Sequence, residues 1–482
     1  MLNRRRLLTL GAAAGGAVLL PSVGSSPAGA HGRAAHVHGV RPATTGRAAA
    51  VTPFTVRMPV PPVAQPVDTA SGVDVYRIGI RSTTAEILPG VRTPVLTYGG
   101  SFVGPTIRAR KGRPVRVTFG NQLAEHANVH LHGAHVPASS DGHPMDVIAP
   151  GQARQYDYPN TQQGATLWYH DHSHHLEAEH VYRGLHGFYV IEDDDERLLA
   201  LPSGGYDVPI LLRDALFDAN GQLVFGGNPA DRDVILANGR PQPYFPVAAR
   251  KYRFRLLNGT TERVFTLNLG GVPLTQIATD GGLLPAPIPR TELELGSAER
   301  ADVVIDFSRF PLGTQLVLAD TTGPVLRFDV VRSAEDTSRV PDRLRALPTL
   351  PPATVNREVS FSFDLSGQAP IGLMNGVPYD PARNDFTVKR GATEIWRIYN
   401  ADTEFSIPHT FHMHLTQFQV LDREGLPAMQ QDVGLKDTVQ VAPGTAVRVK
   451  ATFTEYTGRY VYHCHFLEHS SAGMMATMEI VP

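Results

Sequence analysis

The chain has 482 residues, too many for one compact core, and domains of ordinary size would divide it into about three. Its hydrophobic share of 42% and charged share of 19% suit a globular protein, while 45 glycines and 39 prolines favour frequent turns over long helices and so an all-β fold. A net charge of -2 leaves no electrostatic footprint for nucleic acid or an anionic membrane surface and points instead to small-molecule chemistry.

At the N-terminus, Asn3-Arg4-Arg5-Arg6-Leu7-Leu8 sets a twin arginine ahead of a short apolar stretch ending near Leu20, and Ala28-Gly29-Ala30 offers a cleavage site. Residues 1–30 read as a twin-arginine signal and 31–51 as a linker, which predicts export to the periplasm, cell envelope or medium. The stretch is too short and too rich in glycine and alanine for a membrane anchor, and no later segment could span a bilayer, so the mature chain is expected to have no stable membrane insertion. An exported chain with one cysteine makes no internal disulfide, so Cys464 needs another explanation.

A similar strand-like segment then occurs three times, about 140 residues apart, the size of one β-sandwich. These are Val115-Arg116-Val117-Thr118-Phe119 leading to Asn121, Tyr252-Arg253-Phe254-Arg255-Leu256 leading to Asn258, and Trp396-Arg397-Ile398-Tyr399 leading to Asn400. Each alternates apolar and polar residues, as half-buried strands do. Three related sandwiches are expected, at 52–196, 206–335 and 355–482. The acidic run Glu192 to Glu196 reads as a solvated connector after the first, and a proline-rich stretch from Pro341 to Pro352 separates the second and third.

None of the 20 histidines lies between Gly187 and Pro408, so the middle domain is expected to act as a spacer or wall while the first and third build the site. Four motifs stand out: His130-Leu131-His132-Gly133, His170-Asp171-His172, His409-Thr410-Phe411-His412-Met413-His414, and His463-Cys464-His465 followed by His469 and Met474. Alternate side chains of a strand share a face, so each H-x-H pair offers two imidazoles to one cluster, and four such pairs in one chain are a specific signal. By the same parity Cys464 points away from His463 and His465, and His409 away from His412 and His414. His409, Cys464, His469 and Met474 are then the donor set of a blue-copper electron-transfer centre, with the eight other histidines forming a separate cluster. Zinc is redox-silent, and eight imidazoles exceed the needs of one zinc ion. Asp171 occupies the place of Cys464 in a repeat of the same motif, so the first domain lacks a thiolate and any blue centre of its own.

These motifs, with Leu167-Trp168-Tyr169-His170-Asp171-His172 and Gly184-Leu185-His186-Gly187-Phe188-Tyr189, resemble three-domain multicopper oxidases from about residue 52 to Pro482, in the branch of bacterial laccases, spore-coat oxidases and bilirubin oxidases. The resemblance implies three tandem cupredoxin-like Greek-key β-sandwiches and four coppers. Type 1 copper would sit on His409, Cys464, His469 and Met474, type 2 on His130 and His412, and the type 3 pair on His132, His170, His172, His414, His463 and His465. It implies one-electron oxidation of a phenolic or similar aromatic reductant, coupled to reduction of dioxygen to water. Cys464, His463 and His465 would conduct the electrons, and Asp141, in Ser140-Asp141-Gly142, would assist proton transfer. Two departures are Thr410, where the family carries proline, and Ser470, where some relatives carry an acid, which would leave proton delivery more to Asp141. A cuprous-ion oxidase is the nearest rival, although the nine methionines form no methionine-rich segment. The surplus histidines His135, His143, His174, His175 and His180 could offer a metal-docking surface but read more simply as exposed or supporting groups. A non-catalytic cupredoxin scaffold would have lost ligands, and a two-domain nitrite reductase would carry the cysteine site in its first domain.

Overall fold

The computed structural model describes residues 51–402 and 405–482, so the expected signal at 1–30 and all but the last residue of the linker lie outside the described residues. The fold is all-β, with 48% strand and 7% helix. Six sheets form three pairs, each drawn from one stretch of sequence: four and four strands within Asp74 to Glu192, seven and five within Asp207 to Ser333, and six and five within Val355 to Val481. One apolar core lies between the sheets of each pair. The proline-rich stretch 341–352 carries neither strand nor helix. Among the described residues no helix is long and apolar enough to cross a membrane.

The repeated segment occupies the same place in each sandwich. Val115–Asn121, Lys251–Asn258 and Thr393–Asn400 each pair with a parallel strand on one side and an antiparallel strand on the other. Each ends on a buried asparagine whose amide donates to two carbonyls and whose oxygen accepts a backbone N–H two residues on. That side chain stands in for a backbone turn, which is why asparagine recurs there. The expected alternation appears in the first and third copies but fails in the second, where Arg253 and Arg255 are buried. The reason is pairing rather than exposure: Arg255 lies 2.7 Å from Asp207, and both arginines contact Asp302.

The acidic run is likewise more than a solvated connector. Asp193 is buried, caps the short helix Asp194–Arg197 and holds Arg345 at 2.6 Å, while Glu196 pairs with Arg253. A carboxylate leaves water only where a cation and hydrogen bonds replace it, and these partners lie 152 and 57 residues away.

Candidate metal centre

The four histidine motifs converge between the first and third sandwiches. His130–His132 pairs antiparallel with Ala165–His170, setting His130 opposite His170. In the third sandwich His409–Met413 pairs with Gly458–Cys464, setting His412 opposite His463 and Phe411 opposite Cys464. Three overlapping groups, His130 with His132 and His170, His130 with His412 and His414, and His172 with His414 and His463, each bring their donor atoms within 4.8 Å of one another. His465 joins them with its ring centroid 5.0 Å from that of His132. Apart from His130 and His414, each at 1%, these eight imidazoles have no measurable exposure.

Cys464 lies on the other side of its strand, in the core of the third sandwich. Its Sγ is 3.4 Å from His409 Nδ1 and 3.7 Å from His469 Nδ1, and those two nitrogens are 3.1 Å apart. Met474 is buried in the same core, and its carbonyl accepts the Cys464 N–H at 3.1 Å. His469, on the short helix Leu467–Ser471, is the most exposed of the twelve residues, at 7%. Gly372 makes room for this loop: a Cβ there would stand 2.7 Å from Met474 Cβ and 2.9 Å from the His469 carbonyl. Thr410 keeps the ladder opposite Gln440, and its carbonyl accepts the His465 N–H, so the histidine-bearing strand runs on without the proline.

Most rings are held by their second nitrogen. His130 Nδ1–H donates to the Asp141 carbonyl at 2.6 Å, His170 to that of Asp171, His412 to that of Asp437 and His463 to that of Cys464, while His414 Nδ1–H donates to Asp141 Oδ2 at 2.8 Å. His132 reverses the pattern, with Nε2 on Asp437 Oδ1 at 3.0 Å. A tied N–H sets the tautomer and aims the other nitrogen's lone pair inward. The inward atoms His130 Nε2, His132 Nδ1, His170 Nε2, His412 Nε2, His414 Nε2 and His465 Nε2 are buried without a hydrogen-bond partner. His172 and His463 face each other, Nε2 to Nε2, at 3.1 Å. So many unmet acceptors would cost about 1–3 kcal/mol each, and a soft or borderline cation satisfies them together, so the donor set fits copper. At Cys464 burial pushes the thiol up to about 12, so a cation must displace its proton to recruit the thiolate.

Several surrounding groups carry no signal in their local sequence. Asp171, at the place of the cysteine in the repeat, accepts the Asn128 N–H at 2.7 Å and holds His180 Nδ1 at 3.2 Å. Burial alone would lower His180, but the Asp171 and Glu125 carboxylates beside it raise it to about 10. Ser470 does not leave its neighbourhood without an acid: its hydroxyl donates to Glu177 Oε1 at 3.1 Å, and burial pushes Glu177 up to about 8. Glu262 Oε1 stands 3.8 Å from His469 Nε2. The middle sandwich is no mere spacer, because Ser297 Oγ lies 2.9 Å from the His465 carbonyl and Arg300 holds Asp437. Of the surplus histidines, His143 and His180 are buried, and His174 stacks on the exposed His175 at 3.7 Å.

Burial holds His143 and His174 neutral down to about 4, and His170 and His186 down to about 3. Unfolded histidine takes up its proton near 6.5, so the metal-free protein is expected to lose stability as pH falls from about 6.5 to about 4. Burial pushes Glu177 and Glu262 up to about 8 and Asp214 and Asp280 up to about 6, and these four act in the opposite sense but are outnumbered by the buried imidazoles. Calorimetry of the metal-free chain from pH 7.5 to 4.5 checks this, and a melting temperature that is flat or rises over that range would contradict it.

Profiles described as multicopper oxidase match residues 79–196 and 347–482. A laccase of Bacillus stratosphericus is 34% identical, over 89% of this chain and 99% of its own length. The crystal structure of a laccase from Pediococcus acidilactici superposes with a TM-score of 0.84 at 31% identity, covering 91% of this chain and 95% of that one. A Campylobacter jejuni multicopper oxidase described as a metallo-oxidase gives 0.79 at 25% identity, covering 89% and 96%.

Proposed function

The chain belongs to the multicopper oxidase family, and on that premise we propose that it is a laccase-like oxidase of phenolic or similar aromatic reductants. We assign a type 1 copper to His409, Cys464, His469 and Met474, a type 2 copper to His130 and His412, and a type 3 pair to His132, His170, His172, His414, His463 and His465. Copper at these donors would supply one-electron oxidation of the reductant and four-electron reduction of dioxygen to water.

The observation that carries the aromatic reading is the edge of the fold around His469. Phe363 packs edge-on against the His469 ring at 5.0 Å, and the hairpin bearing Phe363 exposes Leu365 and Ile371. An aromatic ring can lie on that apolar rim, with the Glu262 carboxyl beside His469 Nε2 placed to accept a hydrogen bond from its hydroxyl or amino group. Inward, the Cys464 carbonyl accepts the Nδ1–H of His463 at 2.9 Å, which adds a hydrogen-bonded link to the covalent one between the thiolate residue and the histidine cluster. At the far side Asp141 holds His130 and His414, and its Oδ1 is buried without a hydrogen-bond partner, free to take and release a proton. Burial pushes Glu177 up to about 8, which favours a second proton held beside Ser470.

Oxygen uptake by the copper-loaded chain tests the reading, with a dimethoxyphenol, bilirubin and cuprous ion compared side by side. The phenol is expected to give the highest kcat/KM. A rate highest with cuprous ion would favour a metal oxidase, the reading that the likeness to the Campylobacter jejuni metallo-oxidase supports. No uptake with any of the three, despite bound copper, would sink both. The proposal extends to export by the twin-arginine machinery, on Arg4-Arg5 and the apolar stretch that follows.

A further inference from the structure

Arg300 is fully buried, and its guanidinium reaches all three sandwiches. Nε donates to the carbonyl of Thr166 at 3.0 Å, on the strand that ends at His170. Within its own sandwich it donates to the carbonyls of Ala298 at 3.0 Å and Asp280 at 3.2 Å. Its two terminal nitrogens grip the Asp437 carboxylate of the third sandwich at 2.7 and 2.6 Å. Asp437 in turn touches two histidines of the cluster, His132 through Oδ1 and His412 through its carbonyl.

The environment is built for this contact. Asp280, Lys436 and Glu299 close the ion network around it, with Lys436 Nζ 3.3 Å from Asp280 and 3.0 Å from Glu299. Gly133, last residue of the His130-Leu131-His132-Gly133 motif, has φ +84, and a Cβ there would stand 2.5 Å from Asp437 Oδ2 and 2.8 Å from the Arg300 guanidinium. The glycine therefore serves the passage of this ion pair as well as the turn.

We infer that Arg300 is a positioning residue of the trinuclear copper site, supplied by the sandwich that has no histidine. A carboxylate with one free oxygen can swing, whereas a bidentate guanidinium fixes both oxygens and the carboxylate plane. Asp437 Oδ1 so held keeps the proton of His132 on Nε2 and leaves Nδ1 for the cluster, in contrast to the neighbouring rings that offer Nε2. Arg300 thus sets the rotation of a ligand from the first sandwich by way of a carboxylate from the third. Among the described residues no hydrogen bond or ion pair joins this network to His409, Cys464, His469 or Met474.

The inference rests on the copper reading above, and one experiment separates the two. Arg300→Gln and Arg300→Lys would be prepared as the full chain, loaded with copper and compared with wild type. The measurements are copper per chain, the blue absorption, the type 2 electron paramagnetic resonance spectrum, and the rates of anaerobic bleaching and of oxygen uptake. The expected result is an unchanged blue band and bleaching rate. Copper per chain falls by at least one or the type 2 spectrum is altered, and oxygen uptake drops at least tenfold. Lysine retains the buried charge but cannot bind both carboxylate oxygens and Thr166, so it carries the test if the glutamine variant does not fold. Wild-type copper content and spectra in the lysine variant, with only a lower melting temperature, would overturn the inference and leave Arg300 as packing. A wild-type chain that takes up no copper would instead overturn the proposed function.

Discussion

Replacement of Cys464 by serine is expected to abolish the blue colour and reductant oxidation while leaving copper at the histidine cluster. Cys464 is the only cysteine in the chain, and no other thiolate can take its place between His409 and His469. A serine hydroxyl is a hard, poorly acidic donor in a fully buried site, so it offers neither the soft bond nor the potential the electron acceptor needs. The change is nearly isosteric, and the backbone hydrogen bonds that place His463 and His465 do not involve the sulfur. Copper analysis should therefore show the loss of about one ion per chain, from the donor-set reasoning for a mononuclear site. A blue, active Cys464→Ser protein would contradict the assignment outright.

Asp141→Asn is expected to be the second most damaging change. The amide keeps an oxygen that can accept the His414 Nδ1–H, and the backbone carbonyl that accepts from His130 is untouched. Copper binding should therefore persist. What the variant loses is a group that can gain and release a proton beside two of the clustered histidines, and general acid–base groups of this kind contribute on the order of 10²- to 10⁴-fold. A fall of that size in kcat with dioxygen, with the anaerobic bleaching rate unchanged, is the expected signature. Loss of copper together with activity would instead mean that Asp141 serves only to hold His414 and His130.

Strand parity alone separated Cys464 from His463 and His465 and joined it to His409, because the period of two depends only on extended backbone and both segments are extended in the fold. The recurrent segments ending in Asn121, Asn258 and Asn400 were likewise readable, since each asparagine closes its own local turn within a few residues. Arg253 and Arg255 defeated the same pattern rule because their partners lie on other strands, and alternation cannot distinguish a charge facing water from one facing Asp302.

The groups that hold the clustered histidines were invisible for the same reason. His132 and Asp437 are 305 residues apart, and His414 and Asp141 273. Glu177 reads as an ordinary acid in the first turn of a helix until Ser470 is seen against it. By itself the sequence determined the donor types, their division between two faces of one strand and the three repeated cores, because these follow from covalent order and local backbone geometry. Tertiary structure alone decided which nitrogen each imidazole turns inward, which carboxylates lose their water, and that Arg300 ties the middle sandwich to the cluster. Those outcomes depend on hydrogen bonds and desolvation between groups that only the packing of three sandwiches brings to distances of 2.7 to 3.8 Å.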